Sequence, residues 1–84
     1  MEEHVAVEIV MSIVHKDLRL EGEVDVNETF ANLGADSLDL LEVQIDVADT
    51  AEKALGKHVD SDGLEIHIND TVTKLTAKLI EITA

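Results

Sequence analysis

The sequence predicts an all-α fold, a small helical bundle with a long first loop and a short or irregular third element. Two observations predict it: apolar residues recur at helical spacing in three separate segments, and one short stretch alone alternates. The 84 residues suffice for a single domain, 1–84, and a chain of this size buries only about 60% of the surface it exposes when unfolded. A large self-contained catalytic cleft is therefore not expected.

The first helix is read from Val5, Ala6, Ile9, Val10, Ile13 and Val14, which fall on one broad arc of a 3.6-residue wheel, with Glu8, Ser12 and His15 opposite. From Lys16 to Asp36 the period is lost. Gly22, Asp25, Asn27 and Gly34 supply turn chemistry there, and Val24, Val26, Phe30 and Leu33 are spaced as anchors of a long loop.

The second helix is predicted over Ser37 to about Leu55. Leu40, Val43, Val47, Ala51 and Ala54 form a core line, and Asp39, Glu42, Asp46, Asp49 and Lys53 a charged one about 120° away. Leu38, Leu41, Ile45 and Ala48 form a third, apolar line, which is either a wider core contact or an exposed strip for a partner. The core line ends in two alanines, which either leave room for an apolar channel toward Val72 and Leu75 or let two helices close up.

After Gly56, Asp60-Ser61-Asp62-Gly63 reads as a turn, and Leu64, Ile66 and Ile68 alternate with polar residues as an extended piece or irregular short helix. Asn69 or Asp70 is placed to cap a last helix that buries Val72, Leu75, Leu79 and Ile82 and turns Lys74, Lys78 and Glu81 outward.

Charge narrows the partners. Six Lys and Arg against nineteen Asp and Glu leave a net charge of −13. That opposes binding to nucleic acid or anionic membranes and favours proteins with basic patches. Ten carboxylates and no Lys or Arg lie between Leu20 and Glu52. No apolar run approaches the roughly 20 residues that span a bilayer, and the acidic Glu2, Glu3 and Glu8 are unlike a targeting segment, so a soluble, cytoplasmic monomer is expected. Cysteine is absent, which excludes disulfides and thiolate chemistry on the chain itself.

The candidate residue for chemistry is Ser37, where a glycine-containing loop enters the second helix. A hydroxyl at a helix start is either a cap or an attachment point for a phosphate ester, because free amides and the macrodipole favour the added negative charge. A serine hydrolase is disfavoured, since Asp39 stands where a nucleophile elbow needs its second glycine. The histidines at 4, 15, 58 and 67 lack zinc-ligand spacing, and the Asp60 turn is an incomplete calcium loop, so no metal site is assigned.

Asn27-Glu28-Thr29-Phe30-Ala31-Asn32-Leu33-Gly34-Ala35-Asp36-Ser37-Leu38-Asp39, followed by Glu42, resembles the attachment region of the discrete acyl carrier proteins of type II fatty acid synthesis and related pathways. The resemblance is specific over residues 27–47 and looser over most of the chain. It implies a four-helix bundle with a short third helix, and 4′-phosphopantetheine transferred from coenzyme A to Ser37, next to Asp36, by a phosphopantetheinyl transferase. The terminal thiol of that group would hold acyl intermediates as thioesters. The resemblance further implies docking of basic partner enzymes on Leu38, Asp39, Leu41, Glu42, Ile45 and Asp46, and an acyl pocket about Phe30, Val43, Val47, Ala51, Val72 and Leu75.

A carrier of this kind catalyses nothing itself and hands its cargo to acyl-transferring and chain-modifying enzymes. Two other readings stay open at this point: an acidic adaptor in which Ser37 is only a helix cap, and a peptidyl or aminoacyl carrier, which more often has glycine where Ala35 stands. The second helix is about one turn longer than the family's, and Asp60 stands near the family's usual proline, departures that favour a specialised carrier.

Overall fold

A computed structural model describes every residue from Met1 to Ala84. Helix α1 spans Glu3–Asp17, α2 Ser37–Leu55 and α3 Val72–Ile82, with one 3-10 turn at Ser61–Leu64 between α2 and α3. Three α-helices and a turn thus stand where four helices were expected. Asp60 starts the turn by accepting a hydrogen bond from the Asp62 amide at 2.9 Å. Beyond it Leu64 and Ile66 are buried while Glu65 and His67 are exposed. That alternation is extended-chain spacing, which an α-helix cannot satisfy.

Both α2 and α3 pack closely against α1 and against the 3-10 turn, while their own backbones stay more than 8 Å apart. The apolar arc of α1 explains its central place: Ala6, Ile9, Val10, Ile13 and Val14 are all buried. In α2 the buried residues are Leu40, Val43, Val47, Ala48 and Ala51. Ala54 is exposed, contrary to the predicted core line, and lies in the last turn of α2, one residue before its end. Ala48, assigned to the third line, is buried at the edge of the core arc. Of the paired alanines, Ala51 is buried in the core and Ala54 lies on the surface.

In α3, Val72, Leu75 and Leu79 are buried as predicted, whereas Ile82 is 39% exposed. The cap of α3 is Thr71, whose hydroxyl accepts from the Lys74 amide at 3.2 Å, and not Asn69 or Asp70. The Asp70 carboxylate accepts instead from the His67 amide at 2.8 Å and the Lys74 ammonium at 3.1 Å. Lys78, expected to look outward, donates to the Glu65 carbonyl and ties α3 to the segment after the turn. No helix is long and apolar enough to cross a membrane.

The long loop is held at both ends. Near its start, His15 places Nδ1 2.9 Å from the Met11 carbonyl and Nε2 2.8 Å from the Gly22 carbonyl. A neutral imidazole has one N–H, so only the cation donates to both acceptors. The Gly22 carbonyl, then that of Met11, accordingly raises the His15 pKa above its ordinary value. A raised histidine pKa stabilises the fold fully below the unfolded value of about 6.5 and ceases to do so as pH rises through the folded value. NMR titration should place the His15 midpoint higher in the folded chain than in urea, and His15→Leu should reduce the loss of stability on going from pH 6 to pH 8.

Candidate functional site

The loop delivers Ser37 to the head of α2 through backbone pairing. Phe30, fully buried, donates from its amide to the Asp70 carbonyl at 2.9 Å, and the Ala31 amide donates to Ile68 at 2.7 Å. The Thr73 amide and hydroxyl both donate to the Val26 carbonyl at 3.0 Å. The loop is thereby joined to the chain leading into α3. Gly34, at a φ of 89° that disfavours any side chain, then turns the backbone so that the Ala35 amide reaches back to the Phe30 carbonyl at 3.0 Å.

The head of α2 is closed by a reciprocal pair. Asp36 Oδ1 accepts from the Asp39 amide at 2.9 Å, and Asp39 Oδ2 accepts from the Asp36 amide at 3.0 Å, a capping box built from two aspartates. The cap is therefore Asp36, and Ser37 is the first helical residue with an exposed side chain. The reading of Ser37 as a helix cap is overturned. The amides of Ser37 and Leu38 point out of the first turn with no intrahelical acceptor, as helix geometry requires.

Ser37 sits on the rim of a groove of about 660 Å³ between the first half of α2 and the chain following the 3-10 turn. Leu40 and Ile66 form its buried floor, while Leu38, Leu41 and Ile68 give it exposed apolar walls. Gln44 fixes its width by accepting from the Ile66 amide at 3.4 Å. Its size lies within the range of small-molecule sites. The wall made by Ile66, His67, Ile68 and Asn69 escaped the sequence reading, although the alternation of Leu64, Ile66 and Ile68 marked a chain with one buried and one open side.

Of the expected docking residues, Leu38, Leu41 and Ile45 are 75%, 52% and 45% exposed, so most of the third line of α2 faces solvent. Glu42 is exposed beside them, and Asp39 is half-buried in the capping box. Asp46 turns toward α1, where the Lys16 ammonium lies 3.6 Å from its Oδ2. Of the expected pocket residues, Phe30, Val43, Val47, Ala51 and Leu75 are completely buried in the core. Val72, also buried, borders a separate apolar groove of about 320 Å³ between α1 and α3. None of the six lines the groove at Ser37.

Sequence reasoning missed Asp17 altogether. It continues the buried Ile9, Ile13 line of α1 at i+4, which was the available signal. Burial, followed by the neighbouring Asp46, pushes its carboxyl up to about 6 against the opposing pull of Lys16.

A family model described as the phosphopantetheine attachment site matches residues 8–79. No curated protein and no solved structure matches the chain. Domains of this family carry a covalently bound 4′-phosphopantetheine, and carrier domains work with phosphopantetheinyl transferases and acyl-handling enzymes. With nearly the whole chain matched, from within α1 to within α3, this protein belongs to the phosphopantetheine attachment site family and is a carrier protein for that group.

Proposed function

We propose that Ser37 bears the 4′-phosphopantetheine and that residues 1–84 form one acyl carrier domain serving fatty acid or related acyl-chain synthesis. The observation that carries this reading is the division of labour at the head of α2. Asp36 and Asp39 satisfy the cap, so the Ser37 hydroxyl stays exposed beside two free amides. Those amides and the macrodipole favour a phosphodiester there. When attached, the group supplies the thiol on which an acyl chain is held. The groove with Leu40 and Ile66 at its floor offers apolar surface for the arm or the first carbons of its cargo. Ala35, 9% exposed and packed in the core, favours the acyl over the peptidyl class, whose members more often have glycine at that place.

In this reading the chain makes no bond itself, and its remaining residues serve recognition. Leu38, Leu41 and Ile45 form an apolar docking strip, with Asp39, Glu42 and Asp46 beside it attracting basic enzymes. The exposure of large aliphatic side chains on a helix whose core face is already filled supports that role.

Incubation with coenzyme A and a phosphopantetheinyl transferase should add one phosphopantetheine to the chain by intact mass. Ser37→Ala should abolish the addition with almost no change in thermal stability, whereas Asp36→Ala should cost about 1 kcal/mol through the lost cap. Loading of the Ser37→Ala chain would place the attachment elsewhere.

Docking is tested separately. Glu42→Lys should slow association with the transferase, with an effect that shrinks as salt is added. Leu41→Ala should weaken partner binding while changing stability by less than about 1 kcal/mol, against the 2–5 kcal/mol typical of a core leucine. Stopped-flow association rates and melting curves read both effects.

A further inference from the structure

We propose that Asp17, Glu42 and Asp46 form a divalent-cation site of the Mg²⁺ and Ca²⁺ class that joins the end of α1 to the middle of α2. The three residues come from two helices, and each offers a carboxylate oxygen within 4.8 Å of the other two. Proximity of acids alone is common on so negative a chain. The second observation is Asp17 itself, whose side chain is only 1% exposed and whose Oδ2 is buried without any hydrogen-bond partner. A carboxylate oxygen removed from water and left unpaired is costly, and a metal ion is one of the few partners that can satisfy it beside two further carboxylates.

Lys16 supplies only part of that compensation. Its ammonium lies 3.7 Å from Asp17 Oδ1 and 3.6 Å from Asp46 Oδ2. Those contacts leave Asp17 Oδ2 and the whole of Glu42 without a cation. Glu42 and Asp46 stand one helical turn apart on α2, so their charges repel as well as face Asp17. The Lys16 side chain is 65% exposed and is free to swing aside when an ion enters.

The donor chemistry selects the ion class. Three carboxylates with no cysteine or histidine among them are hard oxygen ligands, suited to Mg²⁺ or Ca²⁺ and not to zinc. A polar cleft of about 540 Å³, bordered by Asp17, Arg19, Gly34 and Glu42, gives access and room for the waters that complete such a coordination shell. Bound there, an ion clamps α1 to α2. It also withdraws Glu42 and Asp46 from the acidic face, a consequence that rests on the docking reading above, whereas the site itself does not.

The test uses the unmodified chain without any partner enzyme, at pH 7.5 in about 0.1 M KCl, where diffuse attraction is screened beyond about 10 Å. Mn²⁺ should broaden amide resonances around Asp17, Glu42 and Asp46 first. CaCl2 and MgCl2, titrated separately, should shift the same resonances with one ion per chain and should raise the melting temperature. Asp17→Asn should weaken that binding by about tenfold or more and remove the melting shift, while melting no lower than the parent chain in EDTA because a buried charge is gone. Should that variant fail to fold, Asp46→Asn, whose parent side chain is 28% exposed, carries the same expectation for binding. Broadening spread evenly along α2, or equal Ca²⁺ binding by parent and variants, would reduce the cluster to an ion atmosphere and overturn the proposal.

Discussion

When Asp36 and Asp39 exchange hydrogen bonds between side chain and backbone, α2 can begin at only one residue, and Ser37 becomes its first helical position. A serine in the capping role would have its hydroxyl turned inward onto an amide. Two aspartates take that role here, which leaves the hydroxyl outward and the next amides free. The arrangement depends in turn on the loop arriving at a fixed angle, set by buried Phe30, by its amide on the Asp70 carbonyl, and by the turn at Gly34. The core thus positions the head of α2 and the exposed Ser37 hydroxyl.

Charge is distributed to match. Several of the few cationic side chains are used at junctions: Lys16 between α1 and α2, Lys74 at the entrance to α3, and Lys78 against the chain following the 3-10 turn. His15 closes the first turn of the long loop in the same way. What remains on α2 from Leu38 to Glu52 is acidic or apolar apart from Gln44 and Thr50, with no basic side chain of its own. Negative charge at that density disfavours contact with polyanions and favours cationic patches. Asp17 is the exception to the economy, a buried carboxylate whose nearest ammonium is largely exposed.

Much of this was legible in the sequence because the signals were local. The bounds of α2 follow from an acidic start, a sustained apolar period and a glycine stop, and its exposed third line became readable once a core line and a charged line had been separated. The family was legible through the motif around Ser37. Three features were not. The cap stayed open at α2 and was placed on the wrong residue at α3, since Ser37, Asp36, Asp70 and Thr71 are all good caps and only backbone geometry selects among them. Ala54 shares an angle with buried residues, yet a helical wheel records angle and not height, so it does not show that a residue in the last turn is exposed. The groove needed the chain after the 3-10 turn to be placed against α2, a contact between residues more than twenty positions apart that no periodicity encodes.

The far end of α2 has a mechanical role. Its last turn ends at Gly56, which adopts a φ of 69° and donates to the Glu52 carbonyl at 2.8 Å. Glu52 then accepts from the Val59 amide at 3.1 Å and holds His58 at 2.8 Å, and these two contacts, the amide first, lower its pKa. Buried Val59 is drawn under the end of the helix by the same bonds. Without proline near Asp60 to stiffen the turn, the Glu52 carboxylate performs the fastening from the helix side. The last turn of α2 therefore anchors the connection to the 3-10 turn, and it adds little interior, because Ala54 is on the surface. The groove lined by Leu40 and Ile66 opens at the opposite end of α2, beside Ser37.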